Sequence, residues 1–219
     1  MNGAQVVGPA TGGDLPVLAC GGEGAPERAV PTLLPGAPGY VAPPGANLPV
    51  FTQTSPQGRL NCAVARAAGL LVEQPDFDGI ACITGPRCHW LRISAGEVVA
   101  FQSSLTGRLI ACFGAPDIGA GFAVALDRSL SRPQALASDL AVAELRGQTS
   151  AITGHIVGAD LAAARPWWLG MEVVVIGEGT LAEAFFAALT SQGLAPGRLD
   201  GDKALLAGLW AARQAQIHP

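Results

Sequence analysis

The chain has 219 residues, 49% of them hydrophobic, with 13 Lys and Arg against 17 Asp and Glu and a net charge of −4 at pH 7. That apolar share is ample for the packed core of one large domain or two small ones, and it excludes a disordered chain. A nucleic-acid surface is excluded too, because it needs Lys and Arg gathered to neutralise phosphates and the basic residues here are scattered.

The start, Met1-Asn2-Gly3-Ala4-Gln5, has neither the basic nor the apolar segment of a signal peptide. Residues 1 to 50 hold 10 Gly and 9 Pro, with only Asp14, Glu23, Glu27 and Arg28 charged. Pro removes amide donors and Gly raises the entropic cost of order, so no long helix is expected there. A short strand over Leu15 to Ala19 runs into a glycine turn, Cys20-Gly21-Gly22-Glu23-Gly24. That turn reads as a loop and not a phosphate cradle, because no Lys-Ser/Thr pair follows. Asn47 to Thr52 reads as a second strand. The longest uncharged stretch, Ala29 to Gly58, is broken repeatedly by Pro and Gly and never offers the roughly 20 apolar residues that cross a membrane. The chain reads as cytosolic, with no membrane partner.

Arg59 to Val72 is rich in Ala and Leu and predicts a helix. Gln74 to Gly79, with Pro75, Asp76 and Asp78, marks a boundary between a first lobe, residues 1–78, and a second, residues 79–219. The second lobe opens on three short apolar runs, Ile80 to Ile83, Trp90 to Ile93 and Val98 to Phe101, separated by the turns Thr84-Gly85-Pro86 and Ser94-Ala95-Gly96. This is a strand meander. Ser103-Ser104-Leu105-Thr106 then offers hydroxyl caps for a helix starting near Gly107. Further helices are expected over Ile118 to Leu130, Ala135 to Leu145 and Ala151 to Arg165, the last stopped by Pro166. In this last helix Gly154 and Gly158 make a small face that would let another helix approach closely. His155 lies beside no Asp or Cys partner and reads as a packing or surface residue.

Met171 to Ile176 is a β-branched run of the kind buried on both faces of a sheet. It runs into Gly177-Glu178-Gly179-Thr180, a glycine turn opening a helix that ends near Gly193. Such a strand–turn–helix presents free amides to an anion, or lets a flat ring approach the backbone. It is not a full dinucleotide fingerprint, since the third glycine is absent. A short strand over Gly197 to Asp200 precedes a last helix, Lys203 to Gln216, capped by Asp202.

The five cysteines, Cys20, Cys62, Cys82, Cys88 and Cys112, are odd in number and have no C-x-x-C spacing, so they suggest neither a zinc site nor a disulfide framework. They read as small core residues. Cys88 precedes His89, but neighbours on a strand point to opposite faces, which argues against a Cys-His dyad.

Four blocks carry a resemblance: Gly79 to Leu109, with Thr84-Gly85-Pro86-Arg87-Cys88-His89-Trp90 and Ser103-Ser104-Leu105-Thr106-Gly107-Arg108-Leu109; Ile152 to Asp160; Val175 to Leu181; and Leu199 to Leu209. They resemble the 2-dehydro-3-deoxygalactonokinase family, bacterial kinases of a keto-deoxy sugar acid. The resemblance implies an α/β protein with the actin-like ATPase (ribonuclease H-like) fold and two lobes closing over ATP and magnesium. It puts Thr84, Gly85 and His89 at the second phosphate loop, and Gly177, Gly179 and Thr180 against adenosine.

Departures from the family are as specific as the matches. The resemblance implies an opening strand hairpin with an Asp-x-Gly-Ser/Thr phosphate loop, and this sequence shows no such block, so a truncated first lobe is expected. Arg59 and Arg108 stand where the family has acids, and Pro86 and Arg87 replace its polar pair. Phosphoryl transfer needs metal-bound phosphates and an acid that orients the attacking hydroxyl. The expectation is therefore a degenerate family member with weak or no catalysis, no assigned catalytic residue and no metal ligand of its own. Arg59 and Arg108 become candidate cations for an anion or substrate cleft. Two alternatives stand beside it: a non-catalytic module that binds a sugar acid or nucleotide, and an assembly protein whose uncovered sheet edge pairs with a second copy as a homodimer.

Overall fold

The computed structural model describes residues 19–20, 24–45 and 47–217. In the breaker-rich part the strands are short: β1 (Ala19–Cys20), β2 (Glu27–Ala29), β3 (Thr32–Leu33), β4 (Asn47–Leu48), β5 (Val50–Thr54) and β6 (Gln57–Leu60). Next come α1 (Ala63–Glu73), the meander β7 (Gly79–Ile83), β8 (Cys88–Ser94) and β9 (Glu97–Ser104), and the helices α2 (Thr106–Cys112) and α3 (Phe122–Ser131). A 3-10 turn at Pro133–Ala135 leads into α4 (Leu136–Leu145), α5 (Thr149–Ala163) and α6 (Arg165–Trp168). The chain closes with β10 (Val173–Ile176), α7 (Gly179–Ser191), β11 (Gly197–Leu199) and α8 (Gly201–Ile217). No helix among the described residues is long and apolar enough to cross a membrane.

Several expectations are corrected by packing. The strand expected over Asn47 to Thr52 is two strands, because Pro49 has no amide to donate. On either side of it β4 pairs with β1, and β5 pairs with β2. The helix expected from Arg59 starts only at Ala63. Gln57 to Leu60 zip antiparallel onto β5 instead, which sets Leu60 opposite Phe51, both fully buried. Of the strand placed at Leu15 to Ala19, residues 15–18 lie outside the described residues, as do residues 21–23 of the glycine turn. Cys20 and Cys62 form a disulfide, with Cα atoms 5.0 Å apart, against the expectation of none. They are 42 residues apart in sequence, and only the folding of β1 beside α1 brings them together. Capping of the last helix also moves: Asp200 Oδ1 accepts the Lys203 amide at 2.9 Å, the role expected of Asp202.

The chain divides into two compact units. One comprises residues 1–78, 91–101 and 200–219, the other 79–90 and 102–199. In the first, α1 and α8 meet backbone to backbone. A Cβ on Gly69 would sit 1.9 Å from the Ala204 carbonyl oxygen, and one on Gly208 would sit 1.8 Å from that of Ala65. Val64, Ala65, Ala68 and Leu70 of α1 are wholly buried in this unit. Its part of the meander turns tightly at Ala95-Gly96, where Gly96 takes φ +76°.

In the second unit β10 lies between β7 and β11, parallel to both, with Ile80 opposite Val173 and Val174 opposite Gly197. All residues of β7 and β10 are buried, as the β-branched run of β10 predicted for that strand. Helix α5 is buried along most of its length. Gly154 and Gly158 bring it against α3, their absent Cβ atoms falling 2.3 Å from the Phe122 carbonyl oxygen and 2.5 Å from that of Leu126. The core of this unit gathers Ile156, Val157 and Leu161 with Trp90, Trp168 and Phe185.

Candidate functional site

Parallel strands that leave a sheet in opposite directions open a crevice at their carboxyl ends, and ligands of α/β proteins settle there. β7 continues to its neighbour β8, whereas β10 continues through α7 to β11 on its other side, so the switch point falls between β7 and β10. The residues following these two strands meet. The Thr84 amide donates to the Ile176 carbonyl at 2.8 Å, and the Thr84 hydroxyl, 3.5 Å from the same oxygen, occupies the space that a side chain at Gly177 would need. The Gly177 amide is held by the Leu199 carbonyl at 3.1 Å.

Two residues on, Gly179 opens α7 with φ +62°, and no atom lies within 4 Å of where its Cβ would be. Glu178 at the cap is extended and gives no side-chain hydrogen bond to the helix start. The first turn of α7, with Thr180 half-buried on it, keeps its amides for something other than a capping side chain.

The loop after β7 is clamped from α2. A Cβ on Gly107 would fall 2.0 Å from the Gly85 carbonyl oxygen, and the Arg108 amide donates to the Pro86 carbonyl at 2.9 Å. What fixes α2 is a residue that sequence reasoning missed. Asp160, 6% exposed on α5, accepts Trp90 Nε1–H at 3.1 Å, the Ser104 hydroxyl at 2.7 Å and the Thr106 hydroxyl at 2.5 Å. Of the hydroxyls expected to cap α2, those of Ser104 and Thr106 are spent on Asp160, and Leu105 holds the cap position without a side-chain bond. A signal was available: Asp160 is the lone carboxylate in α5, among small and apolar residues, and a buried acid needs donors.

Thr84, Gly85 and Gly177 are brought together, and Gly179 and Thr180 follow directly. His89 sits on β8, 8% exposed, its Nδ1 2.8 Å from the Ser103 hydroxyl. Arg108 is exposed on α2. Arg59 belongs to the other unit and forms an ion pair with Glu27 at 2.8 Å, both side chains more than half exposed. Cys88 faces the core with Trp90, and burial pushes its thiol up to about 12, which removes it as a nucleophile at neutral pH.

Residues 65–212 match the family model described as 2-keto-3-deoxy-galactonokinase. Over 161 residues the chain is 29% identical to a protein of Rhizobium meliloti (strain 1021) assigned as a 2-dehydro-3-deoxygalactonokinase, covering 62% of this chain and 52% of that one. The chain thus spans about half the length of this curated relative. A crystal structure assigned to a 2-dehydro-3-deoxygalactonokinase protein from Sinorhizobium meliloti shares the fold, with a TM-score of 0.74 at 23% identity over 89% of this chain and 74% of that one.

Proposed function

The chain belongs to the 2-keto-3-deoxy-galactonokinase family, and from that premise we propose that it binds ATP at the carboxyl ends of β7 and β10 and directs it toward a sugar acid. The observation that carries this reading is the contact between Thr84 and Gly177, which joins two loops at the switch point of a parallel sheet beside an uncapped helix start. Thr84 and the backbone of Gly85 would face the phosphates, with His89 held behind them through Nδ1. Gly177, Gly179 and Thr180 would take the nucleoside, the open space at Gly179 admitting a flat ring.

The donor set fits a nucleotide better than a free metal. Among the described residues no three His, Cys, Asp or Glu gather as metal ligands, and magnesium commonly keeps several waters while bridging nucleotide phosphates. When bound, ATP supplies the phosphoryl group and magnesium neutralises charge developing on it. This chain's own residues hold the phosphates and fix the loop, with Asp160 acting through α2.

The reading includes the actin-like ATPase fold, with residues 1–78 as first lobe and 79–219 as nucleotide-side lobe, and a sugar acid as the small-molecule partner. It also includes slow turnover. Asp160 has all three of its donors engaged, and Arg108 carries the wrong sign to orient a hydroxyl, so we place the rate below the roughly 1 to 100 per second of ordinary kinases.

Calorimetry with ATP and magnesium tests the binding, and a coupled assay with 2-dehydro-3-deoxygalactonate tests the transfer. Saturable binding that Gly177→Ala abolishes supports the site. Binding unchanged in that variant, or none in the wild type, overturns it, and turnover in the ordinary kinase range overturns the slow step alone.

A further inference from the structure

A second cavity lies in the unit that carries β7 and β10, among α3, α4 and the start of α5. It holds about 260 Å³ and is lined by Arg128, Asp139, Val142, Ala143, Arg146, Gln148 and His155. At about 30 Å³ per water it has room for roughly eight, enough for a compact organic acid or a phosphate. Nothing in the proposed nucleotide site uses it.

Its polar walls are partly open and partly buried: Arg128, Arg146 and Gln148 are exposed, Asp139 and His155 are not. Asp139 and His155 are 6% and 7% exposed. Arg128 grips Asp139 with two parallel bonds of 2.8 Å, Nε to Oδ2 and Nη2 to Oδ1, which cancels that carboxylate. His155 Nδ1 meets the wholly buried Ser129 hydroxyl at 2.8 Å. No hydrogen bond engages its other nitrogen, Nε2. Among the described residues only Tyr40 Oη is a sealed polar side-chain atom without a partner, so Nε2 reaches the open space that His155 lines. When Nδ1 accepts the Ser129 hydroxyl, or when the ring is protonated, Nε2 carries a hydrogen that can be donated into this space.

The charge around it is mostly positive. Arg128 is paired with Asp139, Arg146 is an exposed cation with no ion pair or hydrogen bond among the described residues, and Gln148 adds an amide. Arg132 contributes a further positive field at Asp139. Asp127 and Glu144, the acids nearby on α3 and α4, are exposed and do not line the cavity. We propose that this cavity binds a small oxyanion, a phosphate or a carboxylate, held between Arg146, Gln148 and His155 Nε2. It is a site separate from the one at β7 and β10, and it does not depend on the kinase reading.

Burial lowers the His155 pKa from its usual 6.5, and Arg128 lowers it further while Asp139 raises it. An anion at Nε2 favours the charged ring, so binding tightens as pH falls and the His155 pKa rises on binding.

NMR of the imidazole ring, identified through its contact with Ser129, tests this at fixed ionic strength with chloride as the control. Inorganic phosphate and acetate are titrated separately against the wild type and Arg146→Gln, an exposed position whose change leaves the fold intact. The expected result is a saturable shift of the His155 ring, at least about tenfold weaker in Arg146→Gln. A response to phosphate alone or acetate alone supports the site and names the class of ligand. A shift no larger than chloride gives, or one equal in both proteins, overturns it.

Discussion

The hydroxyl of Thr84 sits where the side chain of residue 177 would be, and only glycine lets the ends of β7 and β10 close on one another. A Cβ added at Gly177 would lie 1.9 Å from Thr84 Oγ1. Gly177→Ala is therefore expected to cost about 1 to 3 kcal/mol in urea unfolding. Removing the hydroxyl as well, in a Thr84→Ala/Gly177→Ala double variant, should recover much of that loss, a coupling that a double-mutant cycle measures directly.

Asp160 offers the sharpest test of how the loop after β7 is held. Asp160→Ala takes the acceptor from Trp90 Nε1 and from the Ser104–Thr106 hydroxyl pair, which keeps only its mutual 2.9 Å bond, and each group left stranded costs about 1 to 3 kcal/mol. A loss of about 3 kcal/mol or more is expected, read as a lower urea midpoint with an unchanged slope. Asp160→Asn keeps one oxygen and should lose less.

The close approach of α1 and α8 predicts that Gly69→Ala and Gly208→Ala each destabilise by about 3 kcal/mol or more. In both, the new methyl meets a backbone carbonyl that cannot rotate away. Circular dichroism melts would show the drop. Alanine at Gly193, which has no neighbour but takes φ +84°, should cost only about 1 to 2 kcal/mol of backbone strain.

Thiol chemistry separates the five cysteines. Cys112 is exposed, whereas Cys82 and Cys88 are buried free thiols and Cys20–Cys62 is a disulfide. A thiol reagent at pH 8 should label one group in the native protein, three after unfolding without reductant, and five after reduction. Burial raises the Cys82 and Cys88 thiols above the usual range of a free cysteine, Cys88 to about 12. The native state therefore keeps protons that the unfolded chain releases, and stability should fall as pH climbs from about 9 toward 12.

Much of the meander and of the second unit was legible because local and global signals agreed. The turns at Thr84 to Pro86 and Ser94 to Gly96 fixed the meander, the β-branched run fixed β10, and Gly154 and Gly158 announced a close helix contact that α3 supplies. The first unit was harder to read, because its short strands take their place from distant partners. Arg59 follows Gly58 into β6 only because β5 is there to pair with, and nothing near Cys20 points to Cys62. Gly69 sits in what reads as an ordinary Ala-rich helix, and its requirement for glycine comes from Ala204 on α8. At the site, the glycines and Thr84 were visible from strand–turn patterns, whereas Asp160 was hidden within a block of apolar residues.

The helix that completes the first unit comes from far downstream of the helix it packs against. As the polypeptide leaves the ribosome, residues 63–73 emerge with a bare seam at Gly69 that stays open until residue 201 and beyond have followed, while residues 102–199 arrive as one uninterrupted run with their partners already at hand. Helix α1 therefore waits longer to settle than the second unit does, and a fragment ending before α8 would be the form most exposed to chaperones and proteases.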